Sequence, residues 1–258
     1  MLDLDGTVYL GDEPLPGAAD ALETLRSAGS RLVFLSNKPL ERPTAYAAKL
    51  RSMGVPVRDD EVVSSIDALI RYLGEHPPRA AILTISEPLI DQMLREAGHE
   101  VTLDPAAADL VVVSWDRTFT YDKLERAFRA VRRGARIVAT NPDPWCPTPD
   151  GGLPDCAAML AALEVSSGGR AEAIVGKPSP HMARVALDRL GLAPDQVVMV
   201  GDRLLTDVAM ARDAGMVAAL VLTGATSAPD LGAASVRPDL VLEHLGQLIP
   251  DHTNGSVA

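Results

Sequence analysis

Two aspartates lie one residue apart close to the start of the chain, in the segment Asp3-Leu4-Asp5-Gly6-Thr7. A short apolar strand is predicted to end there, and Gly6 permits a sharp turn, so both carboxylates can face one ligand. This arrangement suits a nucleophile next to a proton donor. An ordinary Asp-Gly turn explains the segment equally well when it is taken alone. The other polar clusters of the chain therefore decide between the two interpretations.

Three further polar clusters follow the ends of predicted strands. They are Ser36-Asn37, Lys177 within Val175-Gly176-Lys177-Pro178, and Gly201-Asp202-Arg203 with Asp207 shortly after it. Each cluster alone has a simpler explanation, as a loop hydroxyl, a surface lysine or a helix cap. The carboxyl ends of the strands in an open parallel sheet line one crevice, however, so clusters distant in sequence can meet there. We therefore predict one site built from all four segments.

The residue types predict the chemistry of this site. Asp3, Asp202 and Asp207 offer carboxylate oxygens, the hard ligands that Mg²⁺ takes in sites that also hold substrate phosphates. Lys177, as a point charge, can then bind the phosphoryl oxygens together with Ser36 and the amide of Asn37. The sequence thus predicts a magnesium-dependent phosphoryl-transfer site.

The elements that must position these residues alternate between apolar runs and helical patterns along almost the whole chain. Such alternation is typical of strands joined by helical crossovers in a parallel sheet, so the predicted fold class is α/β. Predicted strands cover residues 31–36, 80–85, 110–114, 136–140, 196–200 and 217–222. Predicted helices cover 89–97, 121–132 and 206–214, the last ending at Gly215.

The composition excludes several functions. The 258 residues include 35 acidic and 24 basic ones, for a net charge of −11, and only 3% are aromatic. The chain therefore lacks the basic face and the stacking platforms of nucleic-acid binders. It has no apolar run of the roughly 18 residues that span a membrane and no secretion signal, so we expect a cytoplasmic protein with no membrane partner. In that compartment Cys146 and Cys156 are expected to stay free thiols.

With all four clusters in place, the sequence resembles the haloacid dehalogenase superfamily, whose motifs correspond in order to residues 3–7, 36–37, 177 and 201–207. More narrowly it is similar to the subfamily IIA hydrolases typified by NagD, which act on sugar phosphates, nucleotides or p-nitrophenyl phosphate. The resemblance implies a Rossmann-like parallel-sheet core, residues 1–65 and 172–258. It also implies an α/β cap domain, residues 66–171, inserted between the second and third motifs. Residues 115–121, 139–143 and 147–151 add to the resemblance.

The resemblance also implies roles for individual residues. Asp3 would attack phosphorus and form an aspartyl-phosphate, and Asp5 would protonate the leaving group and then activate water. Superfamily members that cleave carbon–halogen bonds lack a carboxylate at the position of Asp5, which favours a phosphatase. The implied ligands of Mg²⁺ are Asp3, Asp5 through its carbonyl, Asp202 and Asp207. The implied substrate-binding residues are Ser36, Asn37, Lys177, Arg203, Asn141 and Asp143.

The expected activity is hydrolysis of a small phosphorylated metabolite, such as a sugar phosphate or a nucleoside monophosphate. Two alternatives stay open: a phosphotransferase that uses the same intermediate, and a catalytically idle regulator that binds a phosphometabolite. Caps of this kind often pair, so the resemblance favours a homodimer through the cap. Within the cap, Asp116 and Arg117 suit an internal ion pair as well as a substrate contact.

The chain departs from the family pattern at its start and in the cap. Only two residues precede Asp3, so either translation starts upstream of Met1 or the sheet tolerates a short central strand. In the cap, Asp155-Cys156 replaces the Gly-Ala that the family usually has after Leu-Pro. The second departure leaves the choice of substrate open.

Overall fold

The computed structural model describes residues 1–75, 80–146 and 151–249. The strands are β1 (Leu2–Asp3), β2 (Tyr9–Leu10), β3 (Glu13–Pro14), β4 (Phe34–Ser36), β5 (Val62–Ser64), β6 (Ala81–Ile85), β7 (Glu100–Val101), β8 (Leu110–Val113), β9 (Arg136–Ala139), β10 (Trp145–Cys146), β11 (Leu153–Pro154), β12 (Ala171–Ile174), β13 (Val198–Gly201), β14 (Val217–Val221) and β15 (Leu240–Leu242). The α-helices are α1 (Ala18–Ser27), α2 (Pro43–Ser52), α3 (Ser65–Glu75), α4 (Pro88–Glu96), α5 (Tyr121–Val131), α6 (Cys156–Ser167), α7 (Pro180–Leu190), α8 (Ala209–Ala214) and α9 (Asp230–Ala233). Short 3₁₀ turns cover Asp59–Glu61, Pro194–Gln196 and Leu245–Leu248, and a π-helical turn covers Leu204–Val208.

The chain forms two compact units. The first contains Met1–Ser36, Pro43–Val63 and the chain from Ala186 onward, and the second contains Asn37–Arg42 and Ser64–Val185. The predicted domain bounds, 1–65 and 172–258 for the core and 66–171 for the cap, stay a prediction.

The first unit is built on a six-stranded sheet of order β15-β14-β13-β1-β4-β5. Although β1 has only two residues, it lies inside the sheet and pairs in parallel with both β13 and β4. Leu2 lies opposite Val200 on one side and Phe34 on the other. The amino group of Met1 adds a hydrogen bond of 2.9 Å to the carbonyl of Val198. The sheet thus accommodates a short central strand.

Apolar side chains of α1 and α2 bury the sheet of the first unit. Leu22 of α1 and Leu50 of α2 are fully buried in one cluster with Leu2, Phe34 and Val200 of the strands. The spacing of the apolar positions places them on one face of each helix, so burial against the sheet stabilises both helices. This packing fixes the strands whose carboxyl ends carry the predicted site.

The second unit is built on a five-stranded sheet of order β12-β9-β8-β6-β7, in which every pairing is parallel. Its central strand β8 has the sequence Leu-Val-Val-Val and is buried at every residue, as is typical of a strand covered on both faces. Ala127 of α5 and Leu163 of α6 pack in one cluster with Val111 and Val113. The antiparallel hairpin of β10 and β11 precedes α6.

The α/β fold class is confirmed, and the predicted strands and helices are present with small shifts at their ends. The largest shift is in β4, which starts at Phe34 instead of residue 31. The helix predicted over 206–214 begins with the π-helical turn and continues as α8, and Gly215 ends it in the left-handed conformation at φ 77°. Within the described ranges, no helix has the length and apolar character that a membrane crossing needs.

Candidate active site

Three buried aspartates of the first unit converge at the carboxyl ends of β1 and β13. Asp3 is the last residue of β1, Asp202 directly follows β13, and Asp207 lies in the π-helical turn. The two strands are parallel neighbours, so the residues that follow them emerge side by side. One carboxylate oxygen of each aspartate lies within 4.8 Å of the corresponding oxygens of the other two. The structure therefore brings together the three carboxylates that the sequence assigned to one site.

Glycines let the backbone approach these carboxylates closely. A Cβ atom at Gly6 would lie 2.5 Å from Oδ2 of Asp202, and Cβ atoms at Gly224 and Gly201 would lie closer still to the carboxylates of Asp202 and Asp207. Gly6 also has φ 80°, in the left-handed region that favours glycine. Any side chain at these positions would push the carboxylates apart.

Main-chain amides orient two of the three carboxylates. The amide of Ala225 donates to Oδ2 of Asp202 at 2.6 Å, and the amide of Arg203 donates to Oδ2 of Asp207 at 3.1 Å. Three carboxylates this close repel one another unless a cation lies between them. Three carboxylate oxygens this close together are a donor set that fits Mg²⁺.

Asp5 lies in the turn after β1 and is half-buried. The hydroxyl of Tyr9 donates to its Oδ2 at 3.4 Å, and the amide of Gly6 donates to the carbonyl of Tyr9 at 2.8 Å. Burial and the nearby Asp5 carboxylate raise the pKa of Tyr9, so its hydroxyl keeps its proton and stays a donor. Sequence reasoning did not identify Tyr9, since nothing in the motif shows that its ring turns inward.

The site segments of the first unit carry three further polar residues, Ser36, Thr7 and Arg203. Ser36 is the buried last residue of β4, the strand that lies next to Asp3. The buried hydroxyl of Thr7 has no hydrogen-bond partner within the part of the chain that the structure describes. Arg203 is half-buried at the start of the π-helical turn, and a contact of its side chain with a substrate stays a prediction.

Lys177 and Asn37 belong to the second unit, where the side chain of Asn37 holds the main chain of Lys177. The amide of Lys177 donates to Oδ1 of Asn37 at 2.8 Å, and Nδ2 of Asn37 donates to the carbonyl of Lys177 at 3.1 Å. A Cβ atom at Gly176 would lie 2.7 Å from Oδ1 of Asn37, so a glycine is needed there. The residue predicted to bind phosphate with its amide thus uses its side chain to fix the buried Lys177.

Asn141 and Asp143, the predicted substrate contacts of the cap, lie in the loop after β9. Nδ2 of Asn141 donates to Oδ2 of Asp143 at 2.9 Å and to Oδ1 of Asp155 at 3.1 Å. Asn141 is fully buried, whereas Asp143 is half-buried. Their contact with a substrate stays a prediction. Asp155, a departure from the family pattern, is part of the same network.

Other residues that the sequence singled out have structural partners in the second unit. Asp116 pairs with Lys123 at 2.6 Å, and Arg117 pairs with Glu87, so both form internal ion pairs. Cys146 and Cys156 are buried free thiols, as predicted. Burial raises the pKa of the Cys156 thiol to about 12, which makes it unreactive at neutral pH. Of the supporting stretch 147–151, residues 147–150 lie outside the described part of the chain.

Fold and site together define an α/β protein whose clustered carboxylates suit a metal ion of the kind that binds substrate phosphates. Known proteins identify the family. A profile described as haloacid dehalogenase-like hydrolase matches residues 1–100, and a related HAD-like hydrolase profile matches residues 174–248. The sugar-phosphatase AraL of Bacillus subtilis is 38% identical over 95% of this chain and 89% of its own.

Solved structures agree with this family. The 4-nitrophenylphosphatase of Thermotoga maritima superimposes with a TM-score of 0.90 and 39% identity, covering 96% of this chain and 94% of its own. A glycerol phosphate phosphatase of Mycobacterium tuberculosis in complex with magnesium gives a TM-score of 0.89 and 33% identity over 97% of this chain and 76% of its own. The chain belongs to the haloacid dehalogenase-like hydrolases.

Proposed function

We propose that the protein is a magnesium-dependent phosphomonoesterase that hydrolyses a small phosphorylated metabolite. The observation that carries this proposal is the convergence of Asp3, Asp202 and Asp207 at one sheet edge, with Asp5 two residues beyond the first of them. One carboxylate in this set is needed as nucleophile, two as cation ligands and one as acid and base. The residues present meet each of these needs.

In the first half of the reaction, a carboxylate oxygen of Asp3 attacks phosphorus. The new bond between Asp3 and phosphorus forms as the bond between phosphorus and the alkoxide oxygen breaks. Asp5, in its protonated form, gives its proton to the departing alkoxide. The products of this step are a free alcohol, an aspartyl-phosphate on Asp3 and an ionised Asp5.

In the second half, Asp5 takes a proton from a water molecule that attacks the aspartyl-phosphate. The bond between Asp3 and phosphorus breaks, which releases inorganic phosphate and restores both aspartates to their starting forms. The hydrogen bond from Tyr9 would help to orient the Asp5 carboxylate for these proton transfers. Splitting hydrolysis in this way replaces one difficult displacement by two easier ones.

Asp202 and Asp207, together with Asp3 and the carbonyl of Asp5, would hold Mg²⁺. The ion would neutralise part of the negative charge that the phosphoryl group brings to a carboxylate-rich site. Amides from Ala225 and Arg203 already orient these ligands. The magnesium in the M. tuberculosis relative is consistent with this assignment.

Lys177, Ser36, the amide of Asn37 and Arg203 would bind the phosphoryl oxygens. A protein with a net charge of −11 needs local positive groups to admit an anionic substrate, and Lys177 supplies one. Asn141 and Asp143 would contact the leaving group. The name of AraL favours sugar phosphates within the substrate class. A cytoplasmic location and a homodimer through the cap stay predictions from the sequence.

The test is phosphate release from p-nitrophenyl phosphate with Mg²⁺ and again with a chelator. We expect turnover only with the metal, and its loss in Asp3→Asn by at least about 10³-fold because the nucleophile is absent. Asp12→Asn is the matched control, since Asp12 lies in the same segment with a side chain 96% exposed. Full activity in Asp3→Asn, or turnover that a chelator does not affect, contradicts the mechanism.

The same assay separates the alternatives. Adding glycerol as acceptor and measuring alcohol and phosphate release together tests for transfer, because a phosphotransferase releases more alcohol than phosphate. An idle regulator would bind phosphate without turnover of any phosphorylated compound in a metabolite panel.

A further inference from the structure

A continuous series of hydrogen bonds runs through the second unit from the main chain of Lys177 to the side chain of Asp155. Asn37 binds both the amide and the carbonyl of Lys177 and donates to Oδ2 of Asp143 at 2.8 Å. Asn141 donates to the same oxygen at 2.9 Å and to Oδ1 of Asp155 at 3.1 Å. Asp155 is thus the far end of a network that begins at Lys177.

Every N–H group of the two carboxamides in this network has an acceptor. Each has two N–H groups to donate, and the two acceptors are the carbonyl of Lys177 and Asp143 for Asn37, and Asp143 and Asp155 for Asn141. The carboxamide oxygens accept from the amide of Lys177 and from the hydroxyl of Thr140. Rotating either group by half a turn would set its oxygen against the acceptor oxygens that its N–H groups now bind, so each has one satisfactory orientation.

The network is buried where it meets Asp155. Asn141 has no exposed surface and Asp155 is 2% exposed, so water cannot replace a lost partner there. A buried N–H that loses its acceptor destabilises the arrangement that holds it. Removing the Asp155 carboxylate would therefore leave Asn141 less firmly oriented. Asp143 and Asn37, which follow in the same series of hydrogen bonds, would then be less firmly held as well.

We propose that Asp155 is a positioning residue for Lys177. It fixes Asn141, and through Asp143 and Asn37 it fixes the main chain from which the lysine side chain extends. The inference rests on the proposed function, in which Lys177 binds the phosphoryl group. Loss of the Asp155 acceptor should therefore weaken phosphate binding although Asp155 itself is buried.

Asp155 also caps α6, where its side chain accepts from the amide of Cys156, and the two roles must be separated. Asp155→Ser does so, because serine caps helices about as well as aspartate but is too short to reach Asn141. Asp155→Asn is the conservative variant, since its Oδ1 can accept both from Nδ2 of Asn141 and from the amide of Cys156. Thr120→Ala removes the cap of α5 in the same unit without touching the network.

The measurements are kcat and KM for p-nitrophenyl phosphate and the calorimetric Kd of inorganic phosphate in the presence of Mg²⁺. For Asp155→Ser we expect KM and the phosphate Kd to rise by about 3- to 10-fold, with kcat within about twofold. For Asp155→Asn both constants should stay within about twofold of wild type. Thr120→Ala should lower the thermal midpoint and leave both constants unchanged.

Unchanged constants in Asp155→Ser would overturn the inference, and so would equal increases in Asp155→Ser and Asp155→Asn, which would assign the effect to charge. An active wild type with an unaffected Asp155→Ser refutes this inference alone. A wild type that neither hydrolyses the ester nor binds phosphate refutes the proposed function, and the role of Asp155 with it.

Discussion

The buried carboxyl of Asp155 makes the stability of the second unit depend on pH. Burial raises its pKa from 3.8 to about 6, and the nearby Asp143 carboxylate adds to the rise. The amide of Cys156, the side chain of Asn141 and the charge of Lys38 oppose it. The carboxyl therefore holds its proton in the folded protein at pH values where the unfolded chain has lost it.

The sign and the size of the effect follow from proton linkage. Below pH 4 the carboxyl is protonated in both states, so its contribution to stability is fully present. Between about pH 4 and pH 6 only the folded state keeps the proton, and the free energy of unfolding falls as pH rises. A difference of about two pKa units at about 1.4 kcal/mol each gives a loss of about 3 kcal/mol by pH 7.

Asp155→Asn isolates this contribution, because asparagine does not titrate and keeps the acceptor oxygen. The free energy of unfolding of the variant minus that of wild type should rise by about 3 kcal/mol between pH 4 and pH 7. With a urea m-value of about 2 kcal/mol/M, that is a shift of about 1.5 M in midpoint. Both tryptophans of the chain, Trp115 and Trp145, lie in the second unit, so their fluorescence reports its unfolding.

Asp122→Asn is the control for loss of one carboxyl, since the Asp122 side chain in the same unit is 67% exposed. The free energy of unfolding of Asp122→Asn minus that of wild type should vary by less than about 0.5 kcal/mol over the same pH range. A flat difference curve for Asp155→Asn, or one that falls with pH, would refute the reasoning. Titration of the Asp155 carboxyl carbon by NMR would then locate the error, because it reads the folded-state pKa directly.

Three further predictions concern packing, a buried ion pair and the metal. Gly176→Ala should lower the free energy of unfolding, measured in urea, by about 2–3 kcal/mol, because its methyl group would lie within 2.7 Å of two oxygen atoms. Gly74→Ala, with open space around it, should be neutral or stabilising in the same assay. Glu61→Gln should cost about 2–4 kcal/mol in the same assay, since it leaves Arg26 without the buried carboxylate that it binds through two hydrogen bonds of 2.8 Å. Asp202→Asn should weaken Mg²⁺ binding at least about tenfold by calorimetry and abolish turnover, and wild-type metal affinity in this variant would exclude Asp202 as a ligand.

The parallel sheets could be predicted because their strands have strong local signals. The run Leu-Val-Val-Val of β8 is too apolar and too branched for a surface element, and it forms a strand buried at every residue. The convergence of Asp3 with Asp202 also follows from sequence, since both come directly after predicted strands of one parallel sheet. Topology alone then brings them to the same edge.

The partners of individual polar side chains could not be predicted in this way. Asn37 has a residue type that suits a phosphate ligand, but its carboxamide faces the main chain of Lys177, 140 residues away in sequence. The inward turn of Tyr9 and the π-helical geometry over Leu204–Val208 likewise depend on what packs around them. Local propensity does not contain this information, because a polar side chain takes whichever partner the fold brings near.

Asp155 shows how a departure from a family pattern can be interpreted once its surroundings are known. Glycine caps a helix almost as well as aspartate, so capping α6 is a weak reason for the carboxylate. Its burial next to Asp143 carries a free-energy cost at neutral pH, which glycine would avoid. What the carboxylate adds is an acceptor for the buried N–H of Asn141. A residue that lowers stability at neutral pH and completes the network of Lys177, the proposed phosphate-binding lysine, is better explained by function than by folding.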